Sequence, residues 1–246
     1  MSESTTQRVA IVTGGSRGIG RAVARRLAAD GQAVGIVYAS NRAEADAAVR
    51  EITEAGGRAR AFAADVADEK AIAEVFDAVE REFGGVDVVV NAAGIMILAP
   101  VAEFDLDDLD RMHRTNIRGA FVVTQQAARR ARPGGAIINL STSVTRLAPP
   151  TYAAYAAGKG AVEAITLILA RELCGRDVTV NTVAPGPVAT ELFLNGKDEA
   201  TVERIAKANP MERLGTPEDI AEVVSFLAGP GRWVNGQILY ANGGAI

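Results

Sequence analysis

The feature that most constrains this chain is a regular alternation of short apolar runs with longer stretches of helical period. RVAIVTG, AVGIVYA, ARAFAAD, VDVVVNAAG, GGAIINLS, DVTVNTVAPG and GQILYANGG read as seven strands in chain order. Between them, helical patterns cover GRAVARRLAADG, Arg42–Ala55, Asp68–Phe83, Leu106–Arg130 and Thr151–Leu173. Strand–helix–strand units require right-handed crossovers, so the expected fold is α/β, a doubly wound and mainly parallel seven-stranded sheet with helices on both faces. Runs such as VDVVV are apolar almost throughout, as strands covered on both sides should be. No repeat or linker interrupts the pattern, so residues 1–246 are expected to form a single domain. Residues 1–7 are a polar start. Pro185 to Pro217 is irregular and too long for a simple connection, and it is expected to hold a substrate lid over about 187–215.

Directly after the first strand comes TGGSRGIGRAVARRL, whose Gly14, Gly18 and Gly20 are spaced G-x3-G-x-G. One glycine makes the tight turn, one lets a pyrophosphate approach the backbone, and one lets the helix pack on the strand. The helix N-terminus then faces the phosphates, with Ser16, Arg17 and Ile19 in the same turn. The second strand ends IVYASNR, with no carboxylate before Glu44. An enzyme using NAD places an acid there to accept from the ribose 2′-hydroxyl. Here Tyr38, Ser40, Asn41 and Arg42, with Arg17 opposite, suit a 2′-phosphate, so NADP(H) is expected. Asn41 also fits as the cap of the next helix, with Glu44 completing a capping box.

Tyr155 and Lys159 are four apart and share a helix face. Alone, the pair is an ordinary polar face. In context, the chain resembles the short-chain dehydrogenase/reductase family along nearly its whole length, in the order of the family's motifs. AADV resembles the adenine contact, placed at Asp65 and Val66. NAAG matches the segment under the cofactor, with Asn91, Ala92 and Gly94. TNIRG matches an Asn-x-x-Gly motif through Asn116, YAAGK the Tyr-x-x-x-Lys pair, and PGPVAT the loop gripping the nicotinamide through Pro185, Gly186, Val188 and Thr190. WVNGQILYANGG resembles the family's last strand. The resemblance implies a Rossmann-type oxidoreductase moving a hydride between NADPH and a carbonyl carbon. Tyr155 would exchange the proton, with Lys159 holding the ribose and Asn116 bending its helix so that water reaches the lysine. An ammonium near the phenol should lower a pKa that is otherwise near ~10.

A second donor should polarise the carbonyl oxygen. The family's serine, thirteen residues before the tyrosine, corresponds to Thr142, and the count from Asn139 agrees. Ser141 and Ser143 flank it, and a one-residue shift of the loop would give the role to Ser143. Tyr152 reads as a wall of the substrate site. Further walls are expected from Ile95–Leu98, Val144–Pro150 and Glu191–Leu194. They are mostly apolar, so an apolar ketone is the expected substrate. A 3-oxoacyl-[acyl-carrier-protein] reductase is the alternative, with Arg129, Arg130, Arg132 and Arg176 as a docking surface. A dinucleotide-sensing protein without chemistry is a third reading, and it would be expected to have lost Tyr155 or Lys159.

Composition narrows the class. A net charge of −4 is too mild for a nucleic-acid surface. The single cysteine, Cys174, forms no intrachain disulfide. MSESTTQ lacks the apolar core of a signal peptide, and no apolar run approaches the ~20 residues that cross a membrane. A cytoplasmic protein is expected. His113, the only histidine, is given no role, and no residues have metal-ligand spacing. Small residues along the helix from Thr151 would let a second copy approach, and a homotetramer is expected.

Overall fold

The computed structural model describes residues 7–246, and the polar start as far as residue 6 lies outside them. Its strands are β1 (Val9–Thr13), β2 (Ala33–Tyr38), β3 (Arg58–Ala63), β4 (Val88–Asn91), β5 (Ala136–Leu140), β6 (Thr179–Pro185) and β7 (Ile238–Ala241). They form one sheet in the order β3-β2-β1-β4-β5-β6-β7, and every pairing is parallel.

The pleat sends alternate residues to opposite faces. Ala10 and Val12 of β1 pack with α1 (Gly18–Ala29), α2 (Arg42–Glu54) and α10 (Pro217–Ala228). Val9 and Ile11 pack with α3 (Glu69–Phe83), α5 (Ala120–Arg130) and α7 (Ala153–Glu172). Two apolar layers therefore enclose the sheet, and both faces of β1 are fully buried.

Three regions differ from the sequence expectation. The stretch from Leu106 to Arg130 is not one regular helix. It runs as α4 (Leu106–His113), a π-helical segment (Arg114–Gly119) and α5. The Pro185–Pro217 region contains α8 (Glu191–Leu194) and α9 (Glu199–Ala206). Helix α10 was absent from the alternation, although Thr216 and Asp219 close a capping box around Pro217 at its start. A short α6 (Val144–Leu147) follows β5.

An 18-residue window of the 20-residue α7 has a mean hydropathy of 1.3, so by length and composition alone this helix could cross a membrane. It is not an unbroken apolar run, since Lys159 and Glu163 lie within it. Tyr155, Lys159 and Thr166 of α7 are buried, and the helix lies against β5 and β6.

One row of the sheet is polar. Thr13, Asn91, Asn139 and Thr182 are register partners on adjacent strands. Asn91 Nδ2 donates to Asn139 Oδ1 at 2.8 Å and to Thr124 Oγ1 at 3.0 Å. Asn139 Nδ2 donates to Thr166 Oγ1 at 2.8 Å, and that hydroxyl is 2.7 Å from Thr182 Oγ1. Buried polar groups are tolerated only when paired. Asn139→Ala is therefore expected to destabilise by about 1–3 kcal/mol, read as a lower urea midpoint at unchanged slope. An unchanged midpoint would show that the row is not structural.

Candidate active site

The Gly-rich turn is packed too tightly for side chains. A Cβ on Gly20 would lie 2.2 Å from the carbonyl oxygen of Gly14. Helices α2, α3, α4 and α10 have side-chain caps from Asn41, Asp68, Asp105 and Thr216. Helix α1 has none, so its first N–H groups are available to an anion. A Cβ on Gly18 would come within 3.4 Å of Thr190 Cγ2, which sets the turn against the Pro185–Thr190 loop. In that loop Val188 is buried and Gly186 N donates to Ala241 O at 3.0 Å. Ser16 is buried in the turn and Ile19 packs on the core. A pyrophosphate fits this cradle.

At the end of β2, Tyr38 is half-buried and Ser40, Asn41 and Arg42 are exposed. Asn41 Oδ1 accepts from Glu44 N at 3.2 Å, so it caps α2. The reciprocal half of the capping box is absent, because Glu44 Oε2 is buried without a hydrogen-bond partner. Arg42 lies 3.5 Å from Asp46. Arg17 does not reach this corner. Its Nη1 pairs with Glu191 Oε2 of α8 at 2.8 Å, across the mouth of the cleft. Both partners are solvent-exposed, and such pairs are held weakly.

Asp65 Oδ1 accepts from Ala67 N at 2.9 Å, and its other oxygen pairs with Arg114. Burial opposes the charge, but the Ala67 N–H and the Arg114 guanidinium outweigh it and hold the carboxyl below its ordinary range. The next residue, Val66, explains the glycine of TNIRG. A Cβ on Gly119 would lie 2.5 Å from Val66 Cγ2.

Beneath the cradle, Thr13 Oγ1 accepts from the N–H groups of Ala92 and Ala93, both at 3.2 Å. Asn116 sits in the π-helical segment and grips the β4 exit with both ends of its amide. Its Oδ1 accepts from Ile95 N at 2.9 Å and its Nδ2 donates to Ile95 O at 2.8 Å. Single π turns interrupt helices most often at functional sites. Gly94 lies between Asn116 and Lys159, with room for a Cβ only 3.3 Å from Asn116 Oδ1.

Lys159 is 6% exposed, and its Nζ donates to Leu140 O at 2.7 Å. Burial pulls its pKa down to about 8. The Nζ lies 5.8 Å from the centroid of the Tyr155 ring. The phenol of Tyr155 is pushed up to about 12, by burial first and by neighbouring Tyr152 second. This reverses the expected direction. The ammonium faces the Leu140 carbonyl, and desolvation of the phenolate dominates.

Three consecutive hydroxyls follow β5. Ser141 Oγ is 2.6 Å from Glu163 Oε1. Ser143 Oγ is 3.3 Å from Ala184 O and accepts from Asn242 Nδ2 at 3.1 Å. Thr142 Oγ1 only accepts, from Val144 N at 3.3 Å. Both serines thus have protein acceptors for their protons, whereas the described contacts leave the Thr142 O–H unspent. Glu163 and Asn242 escaped sequence reading, since no local pattern ties them to this loop.

Tyr155 belongs to an apolar cluster with Met112 and Ala154, flanked by Ile95, Met96, Leu98 and Tyr152. A cavity of about 400 Å³ opens beside it, lined by Met96, Leu98, Leu192, Lys197, Arg17 and Glu191, among others. Phe193 and Leu194 lie in α8. Lys197 Nζ donates to Phe193 O at 2.6 Å and lies 4.6 Å from the centroid of its ring. Among the described residues, no group of three or more His, Cys, Asp or Glu side chains could hold a metal.

Comparison with known proteins gives this arrangement a family. The family model described as enoyl-(acyl carrier protein) reductase matches residues 14–245. A short-chain type dehydrogenase/reductase of Picea abies is 45% identical over 250 residues, covering 97% of this chain and 92% of that protein. The chain belongs to the short-chain dehydrogenase/reductase family. A chloroplastic NADPH-dependent aldehyde reductase-like protein of Arabidopsis thaliana is also 45% identical, over 97% of this chain and 94% of that protein. The crystal structure of a short-chain dehydrogenase from Burkholderia cenocepacia in complex with NADP superposes with a TM-score of 0.91 at 39% identity, covering 98% of both chains. The short-chain dehydrogenase/reductase fold and the Rossmann-type sheet are as the sequence led us to expect.

The depressed lysine sets a pH dependence. Below about pH 8 Lys159 is charged, and above it the ammonium is lost while Tyr155 stays protonated to about pH 12. In the reductive direction kcat/KM, which reports the free enzyme, should be level at neutral pH and fall with a midpoint near 8. A fall only near the phenol's value would take Lys159 out of the titration.

Proposed function

We propose that the protein is an NADP(H)-dependent carbonyl reductase acting on apolar ketones. This reading is carried by two groups, the Thr142 hydroxyl, which donates to no acceptor among the described contacts, and the protonated Tyr155, set in an apolar cluster with Met112 and Ala154. The cofactor is NADP(H). Nothing at the end of β2 repels a 2′-phosphate, and the relatives include an NADPH-dependent reductase and a structure with NADP bound. When bound, NADPH supplies the hydride. The protein's residues do the rest. Thr142 donates a hydrogen bond to the carbonyl oxygen and polarises it. Tyr155 gives its proton to the same oxygen as the C–H bond forms, so C=O becomes CH–OH. Lys159 would hold the ribose of the bound cofactor. Asn116 fixes the loop beside both. Met96, Leu98, Leu192 and Tyr152 exclude water and set the preference for apolar groups.

The description of the matched family model keeps an acyl-carrier-protein substrate as a second reading. Of the four arginines expected to dock such a carrier, Arg129 is exposed and the other three are already engaged. Arg130 pairs with Asp77 and Glu80, Arg132 with Asp87, and Arg176 donates to the carbonyl oxygens of Ala128 and Ala131. Arg132 and Asp87 also sit at the N-terminal end of β4, opposite the cleft. Simple ketones, acetoacetyl thioesters and crotonyl thioesters assayed with NADPH separate the readings. Turnover of ketones alone is expected.

We read residues 1–246 as one functional unit, with the lid within 187–215 and the cytoplasm as its compartment. Exposed Phe121 of α5 and Leu167 and Ile168 of α7 fit contact with a second copy and a homotetramer. A monomer by sedimentation at micromolar concentration would count against that assembly.

Tyr155→Phe keeps the ring and loses the proton donor. It is expected to lower kcat by at least about 10²-fold with NADPH binding nearly intact. Retention of more than about a tenth of kcat, a loss under ~1.4 kcal/mol, would remove Tyr155 from the acid role. For the coenzyme, kcat/KM with NADPH should exceed that with NADH, and Arg17→Leu should raise KM for NADPH far more than for NADH. Arg17 must leave Glu191 to make that contact, which the exposure of the pair permits.

A further inference from the structure

Glu163 lies one helical turn beyond Lys159 and two turns beyond Tyr155, on α7. The reaction above does not use it. Yet one oxygen of its carboxylate takes two hydroxyls from the loop that carries Thr142. Ser141 Oγ is 2.6 Å from Oε1 and Thr145 Oγ1 is 3.0 Å from the same atom. These residues bracket Thr142, one before it and three after. Thr145 also touches Thr142 directly, with its Oγ1 at 3.0 Å and its N at 3.4 Å from Thr142 O.

We infer that Glu163 is a positioning residue that makes Thr142, rather than either neighbouring serine, the hydrogen-bond donor to the substrate carbonyl. The inference rests on the reading of Thr142 given above. Hydroxyls each carry one proton, and an ionised acceptor competes best for it. The other acceptor near Ser141, the carbonyl oxygen of Lys159, is at 3.5 Å, so the carboxylate takes the Ser141 proton. On the other side of Thr142, Ser143 is turned toward Ala184 O and Asn242. With both serines committed, the central hydroxyl alone keeps a proton to give. Tying the loop to α7 also sets Thr142 in the same rigid frame as Tyr155. The polarising and protonating groups must meet at one oxygen, and a misplacement near 1 Å at such a pair costs up to about 10²-fold. The Glu163 carboxylate makes no hydrogen bond to Tyr155 or to Lys159 Nζ in the described structure. Its action therefore runs through the loop and not through proton transfer.

A double-mutant cycle tests this. Ketone reduction with NADPH is measured for Thr142→Ala, Glu163→Ala and the pair, with the NADPH dissociation constant followed by fluorescence. Glu163→Ala is expected to lower kcat by about 10–100-fold with NADPH affinity unchanged, and Glu163→Gln, which keeps an acceptor oxygen, to recover most of it. The double variant should be no slower than Thr142→Ala alone. Multiplying losses, or a Glu163→Ala enzyme with wild-type kcat, would overturn the inference while leaving Thr142 in place. A harmless Thr142→Ala would instead sink the reading beneath it. Should Glu163→Ala fail to fold, Ser141→Ala and Thr145→Val each remove one donor to the carboxylate. Each should reproduce part of the loss in kcat, and wild-type rates in both would overturn the inference equally.

Discussion

The site depends on the parallel direction of every strand. A parallel sheet aims all its carboxyl ends at one edge, and there Thr13, Asn91, Leu140 and Pro185 end β1, β4, β5 and β6. The residues just beyond them supply the Gly-rich turn, the Asn91–Gly94 segment, the hydroxyl loop and the Pro185–Thr190 loop. Close-packed layers on both faces leave this edge as the open side, and ligands of open α/β sheets bind at such an edge. The buried row from Thr13 to Thr182 fixes the strands' relative height just below it. Loops launched from strands of fixed register arrive at fixed positions. The cleft can therefore be built from segments far apart in sequence without long rigid loops of its own.

The chemistry at that edge is governed by burial. Lys159 and Tyr155 both lose solvent, and desolvation favours the neutral form of each. For the tyrosine this holds the proton on the phenol, the one that the proposed reduction would use. For the lysine it erodes the charge, and the Leu140 carbonyl at 2.7 Å offsets part of the cost. The two groups are thus poised in opposite senses, a protonated acid beside a cation close to losing its proton. Under the proposed function, in which oxidation would need the phenolate, this poise favours the reductive direction at neutral pH. The proximity of an ammonium was legible in the four-residue spacing. Its orientation was not, since the Leu140 carbonyl that turns it away lies 19 residues earlier.

The fold was legible wherever local pattern decides it. Strand positions follow from apolar runs, and helices α1, α2, α3 and α7 from their period. The π-helical segment was visible only as a weak point, because Asn and Gly disfavour regular helix without saying what replaces it. The replacement is set by Ile95, whose backbone takes both ends of the Asn116 amide. Helix α10 carries its own start signal in Thr216, Pro217 and Asp219. It was hidden by its position directly after a segment rich in proline and glycine, where irregularity was the stronger local reading. Within that segment α8 and α9 are only 4 and 8 residues long, too short to impose a period.

The hydroxyl proposed to polarise the carbonyl shows where sequence reading ends for the site. Counting from Tyr155 and from Asn139 reached Thr142, but counting cannot separate it from Ser141 and Ser143, one residue away. Competition for protons separates them. Ser141 is claimed from α7, and Ser143 from the end of β6 and from the tail beyond β7, where Asn242 is 99 residues distant. Each claim is a tertiary contact that the loop's own sequence does not encode. The same holds for Arg17, placed by sequence beside a phosphate and found against Glu191, 174 residues away. Residue type restricts what a side chain can do, and distant competitors for its hydrogen bonds determine which of those possibilities remains open.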